Sequence, residues 1–210
     1  MTCPLCLSSG PFQTWIHRAW RDRRFLHCPV CDVVFVPPED QVSPEKEKAR
    51  YQTHQNDLGA SGFRDFLMKT VSEIGKRLPK GSRILDFGSG PEPSMSNLLV
   101  AGGYEVVGYD PSFQPQPPEG TFDLVLAHEV FEHLREPRVE VERILNWLRP
   151  HGTFVIRSEL RPGREAFADW WYARDFTHIL FPSEATLQWM AEEWALTFEL
   201  WSSVLWTFRR

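Results

Sequence analysis

The chain has 210 residues, 42% apolar and 13% aromatic with nine Trp, which is enough for one ordinary domain plus a small module. No apolar run reaches the roughly 18 residues of a membrane span, and Met1-Thr2-Cys3-Pro4 lacks the basic and apolar regions of a signal peptide, so a cytoplasmic protein away from the membrane is expected. A net charge of −5 excludes a uniformly basic nucleic-acid binder, although residues 1–80 hold 12 Lys+Arg against 9 Asp+Glu and residues 81–210 hold 11 against 19.

Residues 1–37 contain all four cysteines, as Cys3-Pro4-Leu5-Cys6 and Cys28-Pro29-Val30-Cys31. Two Cys-x-x-Cys pairs with 21 residues between them match paired knuckles that hold tetrahedral Zn²⁺ through four thiolates. Without secretion, disulfides are not expected. Four sulfur ligands leave no open position, so Cys3, Cys6, Cys28 and Cys31 are expected to bind a structural zinc. Its removal should unfold residues 1–37 and leave the rest largely intact. Short β-like runs cover residues 24–27 and 33–36. Between the pairs, Arg18, Arg21, Arg23 and Arg24 surround Trp20. This cluster reads as a solvated turn of the module, with a face for RNA phosphates as the alternative. Residues 38–62 are polar and charged and read as a linker that turns helical towards Tyr51.

From Phe63 the apolar spacing is helical (Phe63, Phe66, Leu67, Val71, Ile74, Leu78), opening a domain over 63–210. Beyond Pro79, strands are expected at 82–87, 105–109, 122–127 and 152–157, and helices at 94–101, 139–148 and 183–194. A Ser94 cap is expected to open the first of these helices. Residues 196–201 and 203–208 read as a closing antiparallel pair. Strands alternating with helices predict an α/β doubly wound, mostly parallel sheet, with ligand at the carboxyl ends of the strands.

The most informative stretch runs from an apolar strand into Asp86-Phe87-Gly88-Ser89-Gly90 and then a helix. A Gly-x-Gly turn between strand and helix also opens nucleotide-binding domains, so alone it discriminates little. Asp86 does discriminate. A carboxylate beside the turn disfavours a pyrophosphate and favours a ligand with a cationic amino acid moiety, such as S-adenosylmethionine. Asp110, ending the next strand, suits ribose hydroxyls.

These residues resemble class I S-adenosylmethionine-dependent methyltransferases. Residues 84–90 resemble their first motif and 107–110 the acidic end of their second strand. The run Asp123-Leu124-Val125-Leu126-Ala127-His128-Glu129-Val130-Phe131-Glu132-His133 resembles the fourth-strand segment of the ubiquinone-biosynthesis group. Leu148-Arg149-Pro150-His151-Gly152 resembles the turn before their fifth strand. The resemblance implies a Rossmann-like methyltransferase sheet binding S-adenosylmethionine through Asp86, Gly88, Ser89, Gly90 and Asp110, with His128 as a pocket wall. Two departures stand out. Pro91-Glu92-Pro93 occupies the place of a third glycine. Only 12 residues separate Asp110 from Asp123, too few for the family's next helix and strand, so one edge strand is expected to be missing.

Methyl transfer requires an aligned nucleophile and, for a hydroxyl or amine, a proton acceptor. Asp175-Phe176-Thr177-His178, in an aromatic stretch after the fifth strand, resembles a loop of the same group and makes His178 the leading base candidate. Asp175 is its companion and Glu129 a second group facing the acceptor; the alternative is a tight loop in which Asp175 bonds Thr177. Glu132 and His133 are read as opening a helix and packing structurally. His128 and His133 are five residues apart, one too many for a zinc-protease pair on one helix face. The acceptor is expected to be a small metabolite methylated at oxygen or nitrogen. RNA recruited by the cysteine module and a catalytically inert scaffold are the alternatives; no protein partner is implied.

Overall fold

A computed structural model describes residues 1–52 and 61–210. Its centre is a six-stranded sheet built from β4 (Arg83–Phe87), β5 (Glu105–Tyr109), β6 (Phe122–His128), β7 (Leu148–Arg157), β9 (Thr197–Ser202) and β10 (Leu205–Arg209). The spatial order is β5-β4-β6-β7-β10-β9. The first four strands are parallel, and β10 runs antiparallel between β7 and β9. The mostly parallel α/β sheet expected from the alternating pattern is therefore present. Its edge is β5, and residues 111–121 add only the bridge between Asp110 and Gln114. That is the shortened edge the spacing of Asp110 and Asp123 implied.

The inner strands are apolar on both sides because helices cover both faces. Ile84, Leu124, Leu126 and Val155 pack with α2 (Ser61–Gly75) and α3 (Ser94–Ala101) through Leu67, Ile74, Leu98 and Leu99. Leu85, Phe87, Val125, Phe154 and Ile156 form the opposite core with Val141 and Ile144 of α4 (Pro137–Trp147) and Leu187 and Met190 of α6 (Glu184–Glu193). A capping box between Ser183 and Thr186 starts α6. In α3, by contrast, Ser94 is the first helical residue and not its cap; Pro93 precedes it and provides no capping side chain.

The cysteine segment does not stand apart from this body. Strands β1 (Gln13–Trp15), β2 (Phe25–His27) and β3 (Val34–Phe35) form an antiparallel sheet whose fourth strand, β8 (Leu180–Phe181), follows the Asp175–His178 loop. Trp15, Phe25, Val34 and Val36 share one apolar cluster with Phe167, Tyr172, Ile179 and Phe181. Asp32, just past the last cysteine, receives Arg161 at 2.5 Å and the Ser183 hydroxyl. The cysteine segment is therefore joined to residues beyond 37 by strand pairing, apolar packing and an ion pair. Of the stretch 38–62, residues 53–60 lie outside the described residues. Before them stand a short 3-10 turn (Pro38–Asp40) and α1 (Pro44–Gln52), anchored where Arg135 bonds Glu47 at 2.6 Å and the Val42 carbonyl at 2.8 Å.

Candidate active site

At the carboxyl ends of β4, β5 and β6 lies a cavity of about 680 Å³, within the range for a cofactor site. One end is built by the glycine turn. Gly88 has φ +76°, and a Cβ there would come within 2.4 Å of a Val130 methyl, so only glycine fits. Gly90 has φ +68° and donates its N–H to Asp110 Oδ2 at 3.1 Å. Asp110 Oδ1 accepts from the Ser112 N–H at 2.8 Å, bracing the loop after β5. Asp86 is 2% exposed and accepts the Ser96 hydroxyl at 2.6 Å, tying β4 to α3. Burial, with Asp110 nearby, raises its carboxyl to about 6 despite that bond.

Two buried polar atoms of this end, Ser89 Oγ and His128 Nε2, have no hydrogen-bond partner among the described residues. Buried polar atoms are seldom left so, and an orphaned pair lining a cavity fits a polar ligand. His128 ends β6, and its ring meets Phe66 edge-on at 5.2 Å. Burial pushes its pKa down to about 3, so it stays neutral and offers a hydrogen bond without charge.

The other end carries the acceptor-side candidates. Glu129 has φ +55°, a left-handed conformation that costs a non-glycine residue strain and that concentrates at functional sites. Its carboxylate bonds Arg157, yet burial and the nearby Glu132 raise it to about 7. Glu132 and His133 lie in a 3-10 turn (Phe131–His133) that precedes Pro137 and α4, so they do not open that helix. His133 and His178 are ring neighbours at 4.8 Å.

Asp175 Oδ1 accepts from the Thr177 N–H at 2.9 Å and its hydroxyl at 2.7 Å, the tight-loop alternative seen in the sequence. His178 donates Nδ1–H to the Tyr172 carbonyl at 2.7 Å, and burial drives its pKa to about 3. A group so acidic when protonated is a poor proton acceptor near neutrality, whereas Glu129 is matched to it. The cysteine segment holds this loop by its carbonyls. Arg23 donates to Asp175 at 3.2 Å, Phe176 at 3.0 Å and His178 at 2.5 Å, and Trp20 donates to Ala173 at 2.8 Å.

The cavity thus gathers Asp86, Gly88, Ser89, Gly90, Asp110, His128, Glu129, Asp175 and His178 in its lining. It leaves Cys3, Cys6, Cys28 and Cys31 in a separate cluster, with Sγ atoms 3.6 Å apart for Cys3 and Cys31 and 3.5 Å for Cys6 and Cys28. Glu47, Lys48 and Tyr51 of α1 also line the cavity. Sequence reasoning passed over them because the helix is polar, with Tyr51 its one aromatic.

Comparison with known proteins adds three findings. A family model described as a methyltransferase domain matches residues 60–199. No curated protein sequence matches the chain. Among solved structures, Burkholderia thailandensis 1,6-didemethyltoxoflavin-N1-methyltransferase, with bound 1,6-didemethyltoxoflavin and S-adenosylhomocysteine, is similar at TM-score 0.58 and 17% identity, over 92% of this chain and 98% of that one. The plantazolicin methyltransferase in complex with a monoazolic desmethylPZN analog and SAH is similar at TM-score 0.50 and 12% identity, over 80% and 91%. A TehB-like SAM-dependent methyltransferase from Corynebacterium glutamicum gives TM-score 0.49 and 22% identity, over 78% and 98%.

Proposed function

The chain belongs to the methyltransferase-domain family, and we propose that it is an S-adenosylmethionine-dependent enzyme that methylates an oxygen or nitrogen of a small, ring-bearing metabolite. The observation that carries this reading is the continuity of one cavity from the Gly88–Gly90 turn to the aromatic and acidic end around Glu129, His133 and Tyr172. The cofactor, when bound, supplies a sulfonium methyl: attack by an acceptor lone pair breaks the S–CH3 bond, forms the new O–CH3 or N–CH3 bond and leaves a neutral thioether.

The residues present fit such a ligand. Asp86 supplies negative potential for its ammonium, and Asp110 stands where ribose hydroxyls can exchange for the Gly90 and Ser112 N–H groups. Ser89 Oγ and His128 Nε2 gain the partners they lack. Phe66 and Phe113 offer apolar walls, the latter beside Asp110. At the far end Glu129 takes the proton that the acceptor loses, and Trp171 and Tyr172 line the cavity beside it. A small ring acceptor is also what the Burkholderia relative's bound 1,6-didemethyltoxoflavin exemplifies.

The four cysteines fit a structural zinc. Thiolates about 2.3 Å from one tetrahedral ion stand about 3.8 Å apart, close to the 3.5 Å and 3.6 Å of the two paired sulfurs. Support for an RNA acceptor weakens in the module itself. Arg18 pairs with Asp169, Arg24 with Glu39 and Asp40, and Arg23 is turned inward onto carbonyls. Methyl transfer from labelled S-adenosylmethionine to a panel of phenolic, amino and heteroaromatic metabolites, with total RNA as a parallel acceptor, tests the reading. Label entering RNA alone would overturn the small-molecule acceptor.

A further inference from the structure

The acceptor end holds a cluster that methyl transfer by proximity and a base does not require. Glu132 has no exposed surface, a rare place for a carboxylate. Its Oε1 accepts the Tyr172 hydroxyl, while Oε2 has no partner among the described residues. Beside it are two imidazoles whose tautomers are set by the main chain. His133 gives its Nδ1–H to the Thr177 carbonyl at 3.0 Å, and His178 gives its own to the Tyr172 carbonyl at 2.7 Å. Each Nε2 therefore keeps its lone pair, the arrangement in which metal-ligating histidines are usually held.

One ligand-type atom from each of Glu132, His133 and His178 lies within 4.8 Å of the other two. Ligands about 2.1 Å from one ion stand about 3.0–3.4 Å apart at octahedral or tetrahedral angles, so closing on an ion asks these atoms to draw together by up to about 1.4–1.8 Å. The two segments are already stapled together. The Ile179 N–H bonds the Glu132 carbonyl at 2.8 Å, and Arg23 clamps the loop from behind.

We propose that Glu132, His133 and His178 bind one divalent first-row transition-metal ion, open towards the cavity, where a donor atom of the acceptor completes its coordination. The assignment rests on the methyltransferase reading only for the acceptor's role. Two imidazoles and a carboxylate with free positions suit Mn²⁺, Fe²⁺, Co²⁺ or Zn²⁺ and contrast with the closed four-sulfur cluster. An ion there fixes the acceptor's donor atom and lowers the pKa of a bound hydroxyl, so that Glu129 removes its proton more readily. The acceptor class narrows to small molecules with an oxygen or nitrogen donor at or beside the methylated atom.

The test is a Mn²⁺ titration of the zinc-loaded full chain, read by loss of the free-ion electron paramagnetic resonance signal, with S-adenosylhomocysteine calorimetry on the same samples. The expected result is one Mn²⁺ per chain, with affinity weakened about tenfold or more by His178→Ala and by Glu132→Gln. S-adenosylhomocysteine affinity should be unchanged in both variants, which certifies the fold. Absence of Mn²⁺ binding up to about 1 mM, or binding indifferent to His178→Ala in protein that still takes S-adenosylhomocysteine, overturns the site and leaves the transferase reading standing. Mn²⁺ bound without any S-adenosylhomocysteine binding supports the site and sinks the transferase reading instead.

Discussion

Asp86 is wholly buried beside a second acid, and its carboxyl at about 6 is the property most exposed to experiment. In the proposed function its anion attracts the ammonium of the cofactor or its product. A raised carboxyl pKa means that this anion is present above about 6 and is lost as pH falls through it. His128, held down to about 3, stays neutral throughout that window and does not mask the effect. Affinity for S-adenosylhomocysteine should therefore fall by ~10-fold between pH 7 and pH 5; calorimetry at several pH values reads this directly. Asp86→Asn should bind more weakly and without that dependence. A second residue-scale prediction concerns Glu129. Glu129→Gln keeps the size of the side chain and its Arg157 neighbour but cannot take a proton, so kcat should drop by about 10²–10⁴ while S-adenosylhomocysteine binding persists. Steady-state kinetics paired with calorimetry separates the two effects.

At the scale of elements, the two residues of β8 decide how far the cysteine segment reaches. Because β3 pairs with β8 and Arg23 caps the carbonyls of 175–178, the segment positions the acceptor-side loop. Chelating the proposed zinc, or Cys28→Ser, should raise hydrogen exchange at 170–181 as well as at 1–37, while the 83–110 region stays protected. Exchange confined to 1–37 would contradict the coupling. Most of the central elements were readable beforehand. The runs at 83–87, 105–109 and 122–128 are apolar strands ended by glycine turns or acids, and the spacing of Asp110 and Asp123 exposed the missing edge strand. The coupling itself was not readable. A two-residue strand carries no periodicity, and its partner lies 147 positions away at the Val34–Phe181 pairing. Polar α1 looked like linker for a related reason: what holds it is Arg135, far along the chain. Glu132 and His133 were legible as residues but not as a pair with His178, because their directions depend on a 3-10 turn that only Pro137 hints at.

For the whole molecule, one cavity carries two proposed chemistries, a cofactor end built on β4 and β5 and an acceptor end built on β6 and the loop that the cysteine segment holds. In the arginine cluster that suggested RNA, Arg18 and Arg23 make that connection and Arg24 pairs with Glu39 and Asp40. Gel shifts with total RNA should accordingly show no salt-dependent complex at physiological ionic strength. Every step argued for the acceptor end presupposes that the cofactor end is a working site despite Pro91-Glu92-Pro93. Calorimetric titration of the full chain with S-adenosylhomocysteine therefore tests the central claim most directly. One site per chain with a Kd in the micromolar range, on the order of −8 kcal/mol, is the predicted result. No heat and no saturation up to millimolar ligand would contradict it.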